Sequence, residues 1–277
     1  MSEIYETVLH RFSEKIKPTQ KIRLYEDSDK VAVIVDPRYD DLMEAVIRQH
    51  MFFLNPYGWN LMVVSHKSHE DKIHAVFPNC MFVGIDESLI FYKDGNPNMT
   101  LNSYNNIMLN IDFWKILPYE NILIFQKDCF MYKRFDEKFL DCDYVGSRSP
   151  LCTLENNQEM YLMNGGLSFR KKTAMIDCLQ NCSFKQIYEK IDMKKITNIK
   201  YLFEKSEDIY FSLACPFLEK KMPSFDEIPF FSIETEYNVD AAGHHGWNKS
   251  YHTEEQVLEI LSANPNYKDL LENLSAP

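Results

Sequence analysis

Glycine is scarce in this 277-residue sequence, with eight residues against 19 Phe and 16 Tyr. Neither a GxGxxG fingerprint nor a GxxxxGK[ST] loop occurs. The backbone cradles that dinucleotide dehydrogenases and P-loop kinases wrap around phosphates are therefore absent. A GxSxG elbow is absent too, which argues against Ser/His/Asp hydrolysis. The seven cysteines are odd in number and form no CxxC pair. Zinc-finger spacing is missing with them. Cys178 and Cys182, four apart, fall on one helical face and read as packing. No apolar run approaches the roughly 20 residues of a membrane helix. The first 17 residues, MSEIYETVLHRFSEKIK, are charged and lack the apolar stretch of a signal peptide. These absences point to a soluble, cytoplasmic protein of a reducing compartment with no membrane span. Basic residues also fall short: Lys plus Arg is 30 against 41 Asp plus Glu, a net charge of -11. That balance argues against a nucleic-acid partner held by a broad basic face. It leaves room for a phosphate ligand, because one local Arg or one metal ion suffices.

What is present is an alternation of strands and helices. Residues 3–16 carry Ile4, Val8, Leu9 and Phe12 on one helical stripe. Residues 31–35 (VAVIV) are an unbroken apolar run, the mark of a strand buried on both faces. A helix follows over 40–54, then a turn at Asn55-Pro56-Tyr57-Gly58, a second buried strand over 59–64 and a third over 81–85. Helical periodicity returns over 103–117, and strands follow at 122–125 and 144–146. Residues 167–170 lead into a helix over 171–179. Ser206-Glu207-Asp208 has the form of a helix start, a capping serine followed by two first-turn acids. Thr253 caps a helix over 254–261, and Pro265 opens a last one. Alternation of this kind predicts an open, mostly parallel α/β sheet, whose ligand sits at the carboxyl ends of the strands. Asp36 and Arg38, Ser65 and His66, and Gln126 to Asp128 all fall just past such ends.

Four short motifs carry chemistry, each beside a plainer reading. Asp128 either closes a solvated loop or holds a divalent cation that bridges two phosphates, since hard cations want oxygen ligands. Asn164-Gly165-Gly166 is either a tight turn or a place where the backbone must approach something closely, such as a sugar ring. Glu207 and Asp208 are either ordinary first-turn acids or a pair in which one carboxylate takes a hydroxyl proton. Gly243-His244-His245-Gly246-Trp247 is either a surface loop or a metal-ligating histidine on an open backbone that Trp247 anchors. His66 and His69 are three apart with no third ligand near them, and read as loop residues with His66 at the rim.

In order along the chain, these pieces resemble a known family. The blocks are residues 31–38 (VAVIVDPR), Asp112-Phe113-Trp114, residues 122–128 (ILIFQKD), Asp143-Tyr144-Val145-Gly146, residues 164–170 (NGGLSFR), residues 207–212 (EDIYFS), Phe231-Ser232-Ile233-Glu234 and residues 243–247 (GHHGW). Together they resemble a family of uncharacterised GT-A-like domains, catalogued as a domain of unknown function and similar to nucleotide-sugar glycosyltransferases. The resemblance implies an α/β GT-A (Rossmann-like) fold with a mostly parallel central sheet flanked by helices. It spans 26–250, with 1–25 as an N-terminal helical extension and 251–277 as C-terminal helices packed on the same domain. It implies a nucleotide-sugar donor, a glycan or protein acceptor, and Mn²⁺ or Mg²⁺. Asp128 then takes the last position of the metal-binding DxD pattern, and His245, rather than His244, completes the metal shell. Asp36, Arg38, Ser65, Gln126, Asn164, Gly165 and Gly166 would meet the donor. Asp208, with Glu207 beside it, would be the base of an inverting transfer. The sequence departs from the pattern at Gln126, which stands where the first acid belongs and lowers the charge offered to the metal. That departure motivates the alternative expectation, a catalytically inactive GT-A-like binding or assembly module.

Overall fold

The computed structural model describes residues 2–148, 152–153, 159–160, 162–190, 206–249 and 251–271. In chain order the strands are β1 (Lys30–Val35), β2 (Asn60–Ser65), β3 (Met81–Gly84), β4 (Ile90–Lys93), β5 (Asn96–Met99), β6 (Asn121–Phe125), β7 (Cys129–Met131), β8 (Tyr144–Arg148), β9 (Cys152–Thr153), β10 (Glu159–Met160), β11 (Met163–Lys171), β12 (Ser232–Ile233) and β13 (Gly243–His245). Six of them form the central sheet in the order β3-β2-β1-β6-β11-β8. The pairs β2–β3, β1–β2 and β1–β6 are parallel, while β11 runs antiparallel to both β6 and β8. This is the mostly parallel α/β sheet expected, with one strand reversed.

The inner strands are where continuous apolar runs place them. β1 and β6 each expose only their first residue partly, and β2 is buried throughout. The helix Asp41–Leu54 covers one face, capped by the Asp40 carboxylate, which accepts a hydrogen bond from Met43 N. Where one helix was expected over 103–117, there are two, Leu101–Met108 and Ile111–Ile116. Asn110 breaks them apart, because its side chain accepts from Asp112 N and caps the second. A hairpin not anticipated from the sequence, β4–β5, pairs only with itself. Asp94 and Gly95 turn it, with φ of 52° and 77°.

The first and last described helices meet. Helix Ser2–Ile16 buries Tyr5, Val8, Leu9 and Phe12 in the common core. Tyr5 donates or accepts at Tyr132 across 2.5 Å, and Phe12 packs on Tyr267 of helix Pro265–Leu271. Thr253 caps its helix through a full capping box with Gln256. Among the described residues no helix is long and apolar enough to cross a membrane.

Candidate functional site

The site begins where β6 ends. Gln126, Lys127 and Asp128 turn the chain from β6 into β7, and the Gln126 N–H donates to Cys129 Sγ inside the turn (3.2 Å). β7 then pairs antiparallel with β13, placing His245 opposite Cys129. Gly246 N donates to Asp128 O at 2.9 Å and locks the later loop onto the turn. Backbone pairing therefore brings together residues far apart in sequence.

Three donor atoms converge there. His245 Nε2 lies 3.3 Å from Gln126 Oε1 and 3.5 Å from Asp128 Oδ1. Donors on adjacent corners of an octahedral Mg²⁺, each about 2.1 Å from the ion, stand about 3 Å apart. Each oxygen thus stands within about half an ångström of that spacing from the imidazole nitrogen. Two oxygens and one imidazole nitrogen suit Mg²⁺ or Mn²⁺. Cys129 Sγ shares the cluster with Asp128 and His245. Its thiol donates to Gly166 O at 3.0 Å, and burial and the Asp128 charge push its pKa well up, so it remains a thiol. On the other side of the imidazole, Nδ1 lies 3.4 Å from Glu234 Oε1, which also binds Lys249. A carboxylate on that side fixes the orientation of the ring. Burial alone would lower the His245 pKa, but Asp128 and Glu234 raise it to about 9. Burial would raise Asp128, yet His245 and Lys249 hold it below its ordinary value.

Gly166 and Gly165 explain themselves at this point. A Cβ on Gly166 would come within 2.2 Å of the His245 ring and 2.8 Å of Gln126 Oε1. One on Gly165 would come within 2.1 Å of Glu207 Oε1 and 2.6 Å of Arg170 Nη2. The close approach expected here is made by the protein's own side chains. The register of β11 against β8 shifts between Asn164 and Ser168, and Asn164 Oδ1 accepts from Gly166 N at 2.6 Å to hold the irregular backbone.

Beyond the glycines sits a buried ion pair. Arg170 is wholly buried, and its guanidinium donates to both Glu207 oxygens, at 2.6 and 3.0 Å. It also donates to Ser168 Oγ and Gly165 O. Trp114, Tyr144 and Phe211 surround it at 5.2–5.7 Å. Glu207 is therefore fully occupied. Asp208 is half-buried, and its Oδ1 accepts from Ile209 N at 2.8 Å. Burial and the neighbouring Glu207 charge raise its pKa to about 6. Ser206 does not act as the side-chain cap expected of it; Asn105 Oδ1 accepts from Glu207 N instead.

Gln126 and Asp128, but not His245, line a cleft of about 400 Å³ together with residues that include Asp36, Arg38, Thr100, Tyr104, Lys127 and Trp247. Arg38 is clamped by Asp36 through two side-chain bonds of 2.9 and 2.6 Å. Two of the three strand ends expected at one rim, those of β1 and β6, meet in this cleft. The end of β2 does not: Ser65 is buried outside it, and His66 turns to Glu87 (2.8 Å) and Tyr92 (3.1 Å). His244 and His245 are buried at 2% and 3% exposure, which removes the surface-loop reading. Trp247 is buried against Tyr5 and anchors the loop. Glu234 and Arg170 were not recognisable as parts of a site from residue type alone.

A family model described as a protein of unknown function (DUF5672) matches residues 90–249. That is more than half of the 277 residues. The chain belongs to the DUF5672 family. The matched segment holds Gln126, Asp128, Asn164, Gly165, Gly166, Arg170, Glu207, Asp208 and His245, and leaves Asp36, Arg38 and Ser65 before it. No curated protein matches this DUF5672 chain. Among solved structures it is similar to mouse xyloside xylosyltransferase 1 in its apo form, at 10% identity over 78% of this chain and 96% of that one, with a TM-score of 0.45. It is similar to the active-site mutant Q189E of LgtC, at 10% identity over 85% and 96%, with a TM-score of 0.45. It is also similar to the apo-form glycosyltransferase GlyE of Streptococcus pneumoniae, at 12% identity over 90% and 63%, with a TM-score of 0.43.

Proposed function

We propose that the chain is a metal-dependent glycosyltransferase of the GT-A type, moving a sugar from a nucleotide-diphosphate-sugar donor to a hydroxyl of a glycan or protein. The observation that carries this reading is the convergence of Gln126 Oε1 and Asp128 Oδ1 on His245 Nε2, with Gln126 and Asp128 lining a cleft of about 400 Å³ at the carboxyl end of the sheet. Those three atoms would hold Mn²⁺ or Mg²⁺. When bound, the ion supplies positive charge that the leaving diphosphate requires.

The chain's own residues do the rest. Asp36 and Arg38 face the nucleoside and its phosphates, and their mutual clamp presets the guanidinium. Gly165 and Gly166 keep the wall of the site thin. Asp208 is the base: its raised pKa sets its affinity for a proton close to that of a working base at neutral pH. It takes the acceptor hydroxyl proton as the acceptor oxygen bonds to the anomeric carbon. The bond from that carbon to the diphosphate oxygen breaks, and its electron pair leaves with the diphosphate. Attack from the face opposite the leaving group inverts the anomeric centre. Glu207 holds Arg170 and raises Asp208.

A second reading, a catalytically inactive binding or assembly module, is favoured by one observation. The trio carries one acid rather than two, and the His245 imidazole already lies between the carboxylates of Asp128 and Glu234. Calorimetry with nucleotide sugars, with and without Mn²⁺, separates the two readings. The enzyme shows metal-linked nucleotide binding and slow hydrolysis or transfer, and Asp128→Ala loses both with its fold intact. Normal turnover in Asp128→Ala would falsify the metal assignment, and nucleotide binding indifferent to Mn²⁺ favours the module.

A further inference from the structure

A second cavity, of about 290 Å³, lies where residues 20–22 and 76–79 meet helix Asp41–Leu54. It shares no lining residue with the cleft. Arg48 lines it, although the Arg48 side chain is only 8% exposed. A charged group this deep is normally paired on every side. Arg48 is paired on one side only. Its Nε donates to Glu44 Oε1 at 2.9 Å, its Nη1 reaches Gln20 Oε1 only at 3.5 Å, and its Nη2 makes no hydrogen bond among the described residues.

Two contacts place the guanidinium at the wall of this cavity. Its Cζ stands 5.1 Å from the centre of the Phe77 ring, and its Nη1 faces the Gln20 amide. Phe77 and Gln20 both line the cavity. Gln20 is itself held in place, because its Nε2 donates to Arg48 O at 2.7 Å. The Phe77 ring and the Glu44 bond thus fix the guanidinium and leave its Nη1–Nη2 edge almost unspent. That edge is the one that takes two oxygens of a carboxylate or phosphate side by side.

The charge of the wall agrees. Lys21 and Arg48 line it, and no Asp or Glu does. Lys21 is exposed and has no ion-pair partner among the described residues. Glu44 stands outside the lining and is shared between Arg48 and Lys17, at 2.9 and 3.6 Å. In the cleft, by contrast, Asp36 and Asp128 line the same wall as Arg38 and Lys127. A chain with a net charge of -11 thus keeps one small cavity whose charged lining is wholly basic.

We infer that this cavity is a second binding site, for a small anion whose phosphate or carboxylate group is received by the Arg48 fork and by Lys21. Its volume is at the small end of ligand pockets, roughly 300 Å³, and Ile22, Val76 and Pro78 offer apolar surface to the rest of the ligand. The inference stands apart from the glycosyltransferase reading, because the two pockets have no residue in common.

The test titrates the full chain, free of divalent metal, with inorganic phosphate and with succinate by calorimetry. Wild type should bind at least one of them with a dissociation constant of about 1 mM or tighter, and the tighter of the two identifies the headgroup. Arg48→Lys keeps a charge opposite Glu44 but loses the fork, and should weaken binding about tenfold. Lys21→Met changes an exposed side chain, so it should leave the melting temperature nearly unchanged and weaken binding about threefold. It carries the test if Arg48→Lys folds poorly. Arg38→Met, in the cleft, should keep the binding. Saturable binding of neither anion by wild type overturns the inference. Binding that survives unchanged in Arg48→Lys and Lys21→Met overturns it, and so does binding lost in Arg38→Met, since the anion would then sit in the cleft.

Discussion

Removing the Glu207 carboxylate tests how the acidic pair divides its work. In Glu207→Ala the Arg170 guanidinium, wholly buried, keeps only Ser168 Oγ, Gly165 O and three aromatic faces. Neutral acceptors and ring quadrupoles do not replace a bidentate carboxylate at 2.6 and 3.0 Å. Breaking a buried pair from one side costs about 3–5 kcal/mol. Glu207→Gln keeps the shape and one acceptor, and should cost about half as much. The double change Arg170→Met with Glu207→Leu removes both charges and fills a similar volume, so it should recover most of the loss. Urea unfolding read by tryptophan fluorescence measures all three, with Trp114 beside the pair as reporter. If Glu207 is structural, the double variant also keeps Mn²⁺-linked nucleotide binding. A loss below about 1 kcal/mol in Glu207→Ala, or no recovery in the double variant, would refute the ion-pair argument.

Two further predictions complete the set. Gly166→Ala should keep the fold but weaken Mn²⁺ binding at least tenfold in titration calorimetry, because the new Cβ meets the His245 ring at 2.2 Å; unchanged affinity would mean the ring has room to retreat. For Asp208 the folded carboxyl has a pKa of about 6 against an ordinary 3.8, so the folded state disfavours its ionised form. That penalty is absent below the unfolded value, grows between these two pKa values and is complete above the folded one. It amounts to at most about 3 kcal/mol, less where water reaches the half-buried group. Asp208→Asn should therefore be the more stable protein at pH 7.5, show a flatter stability-against-pH curve, and transfer no sugar. Wild-type transfer should fall as pH drops through about 6, and transfer retained in Asp208→Asn removes Asp208 as the base.

Sequence by itself determined the sheet and the end of it that turns polar. β1, β2 and β6 are continuous apolar runs because both their faces are covered, and that pattern needs no partner to be read. Thr253 was legible as a cap for the same local reason, since a cap acts on the backbone a few residues away. The β4–β5 hairpin also leaves a local mark, the Asp94-Gly95 pair at its turn. Tertiary structure alone decided the site. Whether His245 meets Asp128 depends on β7 pairing with β13, a contact between segments more than a hundred residues apart. Whether Glu207 is free depends on Arg170, which β11 inserts between the acids and the aromatic cage. Whether Ser65 faces the cleft depends on how the β2 end is closed by Glu87 and Tyr92, not on its position after a strand. Local patterns record what a residue does to its own backbone. Convergence of side chains across the sheet is set by which strands pair and in which register, and residue type carries no trace of that.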